Sequence, residues 1–333
     1  MTGVQTCALP ISEIGADVLK LLEQQQLQKE NLEIICQRMK SNRIGGKLVL
    51  KNKRIDDEGA LMLGEALSIN RSLRNVNLNN NMIGSRGAEA LGNALKVNSC
   101  LQALHLERNG IDDKGVIAIC QGIEETKSLR ALSLNDRIED DGIAAICSML
   151  EKNSSMSALN LTCRMSESGR KQLFSTIGSR IFLSTLRLQR CPLESAGVSE
   201  LCQALAKNVS LTCLDLSGNI IGDDGLRVLS ERLSSCSKIQ QINVGSNWIV
   251  LAEHYIVKQL FGNQHLTSIS LSDNPLCESG VTMIAQALAT NTVLTNLSLC
   301  RCRIQKEGIV ALSRVLKSNS VLRVLELARN TLN

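Results

Sequence analysis

Four pairs of adjacent carboxylates, Asp56-Asp57, Asp112-Asp113, Asp140-Asp141 and Asp223-Asp224, are the residues here whose type and spacing could serve acid–base chemistry. Two neighbouring carboxylates can share a proton or divide the roles of acid and base. Each pair, however, stands just ahead of a glycine (Gly59, Gly115, Gly142 and Gly225), and the pairs recur at one interval. A catalytic pair occurs once; a pair repeated at a fixed interval marks a structural position. Acids ahead of a helix favour its positive end, and that is the role expected here. The other chemistries fail on pattern. There is no phosphate-cradling GxxxxGK[ST] loop, no GxSxG elbow and no HExxH helix. Thirteen cysteines include no CxxC, and His105, His254 and His265 complete no zinc pattern with them. No catalytic, cofactor-binding or metal-binding residue is expected, and the chain is read as a non-enzyme.

What positions the acids is a repeat. The stretch Leu211–Leu233 is its clearest copy: Leu211, Leu214 and Leu216, then Asn219, Ile221 and Gly225, then Leu226, Leu229 and Leu233. The first apolar residue recurs at Leu73, Leu101, Leu129, Met156, Leu183, Leu211, Ile239, Leu266, Leu294 and Leu322, and an earlier unit begins at Gly45. Self-similarity at such an interval is the mark of a solenoid. Alternation buries Leu214 and Leu216 on one face of a short strand and points Asp215 outward. Asn219 falls where the chain must bend, and a buried amide there can bond backbone of its own and the next turn. The same position holds Asn81, Asn109, Asn247, Asn274 and Asn330, with Cys191 and Cys302 as small buried substitutes. A helix follows each glycine. Asn70, Asn98, Asn153, Asn208, Asn263, Asn291 and Asn319 recur near helix ends, where a left-handed asparagine would stop the helix. The expected fold is α/β: a right-handed solenoid, or horseshoe, with a parallel inner sheet and outer helices.

The pattern L-x-x-L-x-L-x-x-N-x-I, in units of about 28 residues with a helix in each, resembles the ribonuclease-inhibitor-like class of leucine-rich repeats. Ala94-Leu95-Lys96-Val97-Asn98 and Ala287-Leu288-Ala289-Thr290-Asn291 resemble most the repeat arrays of NOD-like receptors and their stand-alone relatives. The resemblance implies a protein-interaction scaffold or sensor module. It also admits a GTPase activator of the Ran activator class, which carries an acidic tail that this sequence does not show. A ribonuclease inhibitor ranks last, because that family is acidic and aromatic-rich at its contacts.

Residues 1–11 resemble a translated sequencing adapter and are expected to be an artefact. Residues 12–44 read as a helical cap or partial repeat, with Val18, Leu21, Leu22 and Leu27 on one helix and Ile34, Ile35 and Met39 on a second. Residues 45–333 read as a continuous array of about eleven units, the last cut short. Two places depart from the pattern. Around Asn135 to Gly169 the turn asparagine is lost, and around Trp248 to Tyr255 Glu253 replaces the glycine.

Lys+Arg number 37 against 32 Asp+Glu, a formal +5 that does not by itself call for nucleic acid. With one Trp, one Tyr and three Phe, aromatic platforms for bases are missing as well. Arg38, Lys40, Arg43, Lys47, Lys51, Lys53 and Arg54 form a basic run without an acid between them, either a solvated edge or a partner surface. The cysteines are expected to be free and buried, which suits a reducing cytoplasmic setting. No run of 18 apolar residues marks a membrane span. The expected partner is a protein with an acidic patch, held on the concave face. The expected contacts are Lys47, Lys51, Asn75, Asn77, Asn79, His105, Glu107 and Arg108, then Arg187, Arg190, Asp215, Asn243, Ser270, Arg301, Arg323, Glu326 and Arg329.

Overall fold

The computed structural model describes residue 21 and residues 28–124, 126–135, 137–179, 182–233 and 238–330. The expectations for residues 1–11 and for the first helix of the cap lie outside them. The chain divides into two compact units, up to Thr176 and from Ile177.

The first unit begins with α1 (Lys29–Lys40), which buries Leu32, Ile35, Cys36 and Met39 and leaves Ile34 exposed. Strands and helices then alternate: β1 (Gly46–Val49), α2 (Asp57–Ile69), β2 (Leu73–Asn77), α3 (Ser85–Val97), β3 (Ala103–His105), α4 (Asp113–Ile123), β4 (Ala131–Asn135), α5 (Asp140–Lys152), β5 (Ala158–Thr162) and α6 (Glu167–Ser179), which crosses the division. All pairing from β1 to β5 is parallel and in sequence order. The register sets Leu48, Val76, Leu104, Leu132 and Leu159 side by side.

The second unit continues with β6 (Thr185–Leu188), α7 (Ser195–Leu205), β7 (Cys213–Asp215), α8 (Gly222–Leu233), β8 (Gln241–Asn243), α9 (His254–Phe261), β9 (Ser268–Ser270), α10 (Glu278–Leu288), β10 (Asn296–Ser298), α11 (Lys306–Leu316) and β11 (Val324–Glu326). Leu186, Leu214, Ile242, Ile269, Leu297 and Leu325 stand in one parallel register. The fold is an α/β solenoid. Each unit's core is the layer between its strands and helices, where the fourth and sixth residues of the repeat meet the helix stripes, as with Leu214 and Leu216 against Leu226 and Leu229.

Glycine at the helix start lets neighbouring helices close. A Cβ at Gly87 would stand 2.7 Å from Asp57 Oδ1 and 2.8 Å from Ala60 Cβ, so any side chain would push α3 away from α2.

Two sequence expectations are corrected. Asp215 is buried (7% exposed), because Gln189 Nε2 donates to its Oδ2 at 2.7 Å and the Ser217 N–H to its Oδ1 at 2.9 Å. The asparagines at the helix ends are not left-handed: φ is −64° at Asn70, −83° at Asn98 and −91° at Asn153. They act through their side chains instead. Asn98 Nδ2 donates to Leu67 O, in the preceding helix, and Asn98 Oδ1 accepts from the N–H groups of Cys100 and Leu101. The left-handed position lies in the bend after a strand, immediately before the turn residue: Asn80, Arg108, Arg190, Gly218, Ser246, Asp273, Arg301 and Arg329 all have φ between 54° and 75°.

Candidate partner-binding surface

The paired acids are tied into backbone. Asp56 Oδ1 accepts from the Gly59 N–H at 3.0 Å and caps its own helix α2. Asp57 Oδ1 reaches forward and accepts from the N–H groups of Gly84 and Gly87, at the start of α3. Asp112 caps α4 through the N–H groups of Lys114 and Gly115, and Asp113 reaches the Glu139 N–H ahead of α5. The Ser85 hydroxyl, donating to Asp112, holds that carboxyl below its ordinary range. In these two pairs the first acid serves its own helix and the second the next one; in the other two the first acid, Asp140 or Asp223, reaches forward, to the Ser166 hydroxyl and to the Val250, Leu251 and Ala252 N–H groups.

The asparagine rungs are equally committed. Asn219 Nδ2 donates to Leu188 O at 2.8 Å and Leu216 O at 2.7 Å; its Oδ1 accepts from the N–H groups of Cys191 and Leu193 at 2.9 and 3.1 Å. Asn81, Asn274 and Asn330 repeat that four-bond pattern. Asn109 and Asn247 make the same two classes of bond. Cys302 Sγ donates to Leu271 O at 3.3 Å and to Cys300 O at 3.5 Å, and Cys191 Sγ to Gln189 O. Cys163, buried in the bend where the asparagine is lost, has a small buried thiol like those of Cys191 and Cys302.

The described cysteines are free thiols. Burial pushes the Cys36 thiol up to about 12 and that of Cys302 to about 11, and raises Cys120, Cys147 and Cys213 as well. A thiol so raised stays protonated near neutrality and is a poor nucleophile. Among the described residues no group of three or more His, Cys, Asp or Glu is placed to hold a metal ion. No described helix is long and apolar enough to cross a membrane.

The open face of the strands remains. In the first unit Lys47, Asn75, Asn77, Asn79, His105 and Glu107 are half-buried there, and Lys51 and Arg108 are exposed. Glu107 gathers the face into a network, accepting from Asn79 Nδ2 at 3.1 Å and from Asn160 Nδ2 on β5. His105 Nδ1 is 2.9 Å from Ser133 Oγ. In the second unit Arg187, Asn243 and Ser270 face out half-buried beside the buried Asp215. Glu326 is exposed and accepts from Ser298 Oγ at 2.6 Å.

Strand alternation does not place the remaining arginines. Arg108, Arg190, Arg301 and Arg329 lie in the left-handed bend beyond the strand, and Arg323 precedes β11. Arg190 lies over Gly218, where a Cβ would come within 2.7 Å of its Cγ. Arg301 Nη2 meets Asp273 Oδ2 at 2.7 Å, and this hydrogen-bonded pairing holds the Asp273 carboxyl below its ordinary range.

Known proteins share parts of this pattern. The Leucine Rich repeat family matches residues 70–92, 97–120, 207–230, 262–285 and 290–313. The chain is 35% identical over 109 residues to the NACHT, LRR and PYD domains-containing protein 5 of Bos taurus, which covers 32% of this chain and 10% of that protein. It is 34% identical over 110 residues to the ribonuclease inhibitor of Sus scrofa, covering 32% of this chain and 24% of the inhibitor. The matched segments thus span a quarter or less of either relative. A chain of the yeast Rad7 and Elc1 complex superposes with a TM-score of 0.52 at 13% identity, over 92% of this chain and 85% of that one, and shares the fold alone. The chain thus carries leucine-rich repeats over these residues and, over about a third of its length, is similar to a ribonuclease inhibitor and to NACHT, LRR and PYD domains-containing proteins.

Proposed function

We propose that this protein is an interaction scaffold or sensor module that binds a protein partner on the open face of its strands and the adjoining bend. One observation carries the reading. Arg108, Arg190, Arg301 and Arg329 hold a left-handed backbone with φ of 54–58°. A side chain there costs on the order of 1–2 kcal/mol relative to the right-handed region. Glycine accepts the position freely, as Gly218 does. The bend takes this backbone at Asn80, Ser246 and Asp273 as well, so what singles out these four positions is the exposed cation that a fixed bend presents. The rungs and caps satisfy the backbone without these guanidiniums; Arg301 pairs with Asp273, and Arg108 and Arg190 are the ones offered to carboxylates of an acidic partner. The free thiols support a cytoplasmic setting.

The test uses a protein captured by the full chain. Arg187→Glu with Arg190→Glu should weaken its binding about tenfold or more, and added salt should weaken the wild-type complex, since exposed charges are screened. The matched change Arg314→Glu, on the exposed side of α11, should leave binding intact. Loss with Arg314→Glu and none with the double reversal overturns the assignment.

A further inference from the structure

The only Trp and the only Tyr of the chain, Trp248 and Tyr255, are both exposed and both lie in the segment that departs from the repeat. Trp248 is 69% exposed and sits in a left-handed backbone, φ 59°, a genuine outlier for a bulky residue. The loop behind it is fixed. Asp223 collects three successive N–H groups, those of Val250, Leu251 and Ala252, at 2.9 to 3.0 Å. An indole in water on a rigid loop is a preorganised anchor, and Trp and Tyr lead the residues that dominate interfaces.

Its surroundings continue the surface. At the same repeat position in successive turns stand Pro192, Ile220, Trp248 and Pro275, with Val250 beside Trp248. Ile220 is 53% exposed and Val250 41%. These bends are joined by backbone bonds, Ile220 N–H to Leu193 O and Cys277 N–H to Val250 O, so the strip advances one apolar residue per turn, about 4.8 Å each. This strip follows the edge between strands and helices, away from the open face.

We propose that this strip is a docking surface for an amphipathic α-helix of a partner protein, lying across the turns and anchored on Trp248. Two features select a helix. Its side chains at i, i+3 and i+4 advance about 4.5–6 Å along the axis, in step with the strip. Same-face residues of an extended chain advance about 6.6 Å and fall out of step within two turns. Charge then fixes direction. Exposed Glu194 stands at the Pro192 end and exposed Arg303 in the turn beyond Pro275. These complement the positive N-terminus and the negative C-terminus of a bound helix. Glu253 and His254, exposed at the start of α9, form a polar rim.

Trp248, the single tryptophan, is its own reporter. The probe is a lactam-stapled helix of about 18 residues, some 27 Å long, with one leucine per helical turn, polar residues elsewhere and a free C-terminal carboxylate. It should shift Trp248 emission to the blue saturably, and Ile220→Asp should weaken binding tenfold or more with far-UV circular dichroism unchanged. Trp248→Gly, which suits the left-handed backbone, should do the same by anisotropy of a labelled peptide. Arg187→Glu with Arg190→Glu should leave the shift in place, which separates this site from the open face. Absence of a saturable shift overturns the proposal. So does an equal shift from a leucine-matched peptide broken by central prolines, from phosphatidylcholine vesicles, or from raising the protein's own concentration. The last two would assign the strip to a lipid surface or to a second copy of the chain.

Discussion

Asn219→Ala removes one side chain and four hydrogen bonds. The bend loses the acceptor for the Cys191 and Leu193 N–H groups and the donor to the Leu188 and Leu216 carbonyls. Asn219 is 2% exposed, so water cannot reach these groups without opening the turn. An orphaned buried polar group costs about 1–3 kcal/mol. Four of them at the lower end of that range predict a loss of about 4 kcal/mol, less whatever a trapped water restores. Asn81 makes the same four bonds but is half-buried. Solvent can replace them there, and Asn81→Ala should cost only about 1 kcal/mol. Asn219→Cys should fall between, because a thiol can still donate as Cys302 does but is a weaker acceptor for the N–H groups than an amide oxygen. Urea denaturation gives the midpoints, and an unchanged slope shows that the same cooperative unit is melting. Hydrogen exchange at Cys191 and Leu193 locates the damage. An unchanged midpoint for Asn219→Ala, or a larger loss at Asn81, refutes the burial argument.

Two further outcomes follow from the buried thiols and from Asp223. Cys36 and Cys302 are raised from 9.0 to about 12 and about 11 in the folded chain, so folding favours their protonated forms. That contribution is complete below pH 9 and is lost as pH rises from there through the folded values, so the melting temperature should fall with a slope that Cys302→Ser reduces; a slope unchanged by the substitution refutes it. Asp223→Ala should speed exchange of the Val250, Leu251 and Ala252 amides and cost about 1 kcal/mol, the bonds being partly solvated; protected amides in the variant would show that the loop is held by something else.

The fold was legible because Leu214, Leu216 and their equivalents set strand, register and core together, and a one-residue slip would expose the whole row. The rungs were legible for the same reason: a fixed offset from a buried strand places Asn219 in the bend. The forward reach of Asp57 and Asp113 was not, because it depends on how closely the next unit packs, which no residue type announces. Asparagine is no guide to the left-handed position, because it tolerates that backbone without demanding it. In the structure that position accepts Asn80, Arg108, Gly218, Ser246 and Asp273 alike, so side-chain type carries no signal. Asp215 was expected outside by alternation alone, whereas Gln189 from the neighbouring turn covers it. The site residues were found as a column of strand positions, but their arginines belong mainly to the bend.

The repeat divides its positions between two tasks. Each turn needs its leucines, its rung, its helix cap and the asparagine at the helix end, and these settle nearly every buried polar group. Specificity can then be written only where no rung or cap is required: the outward strand residues, the left-handed bend and the position after the rung. Here the bend carries arginines and the position after the rung carries Pro192, Ile220, Trp248 and Pro275. The arginines of the bend, which share their column with Gly218, Ser246 and Asp273, make salt-sensitive contacts, and the apolar strip salt-insensitive ones. Because they sit on opposite sides of the same buried rung, substitutions in either can leave the core untouched. A partner that uses both would respond independently to Arg190→Glu and Ile220→Asp, with free-energy losses that add, whereas coupling between the two would mean that the rung itself transmits the change.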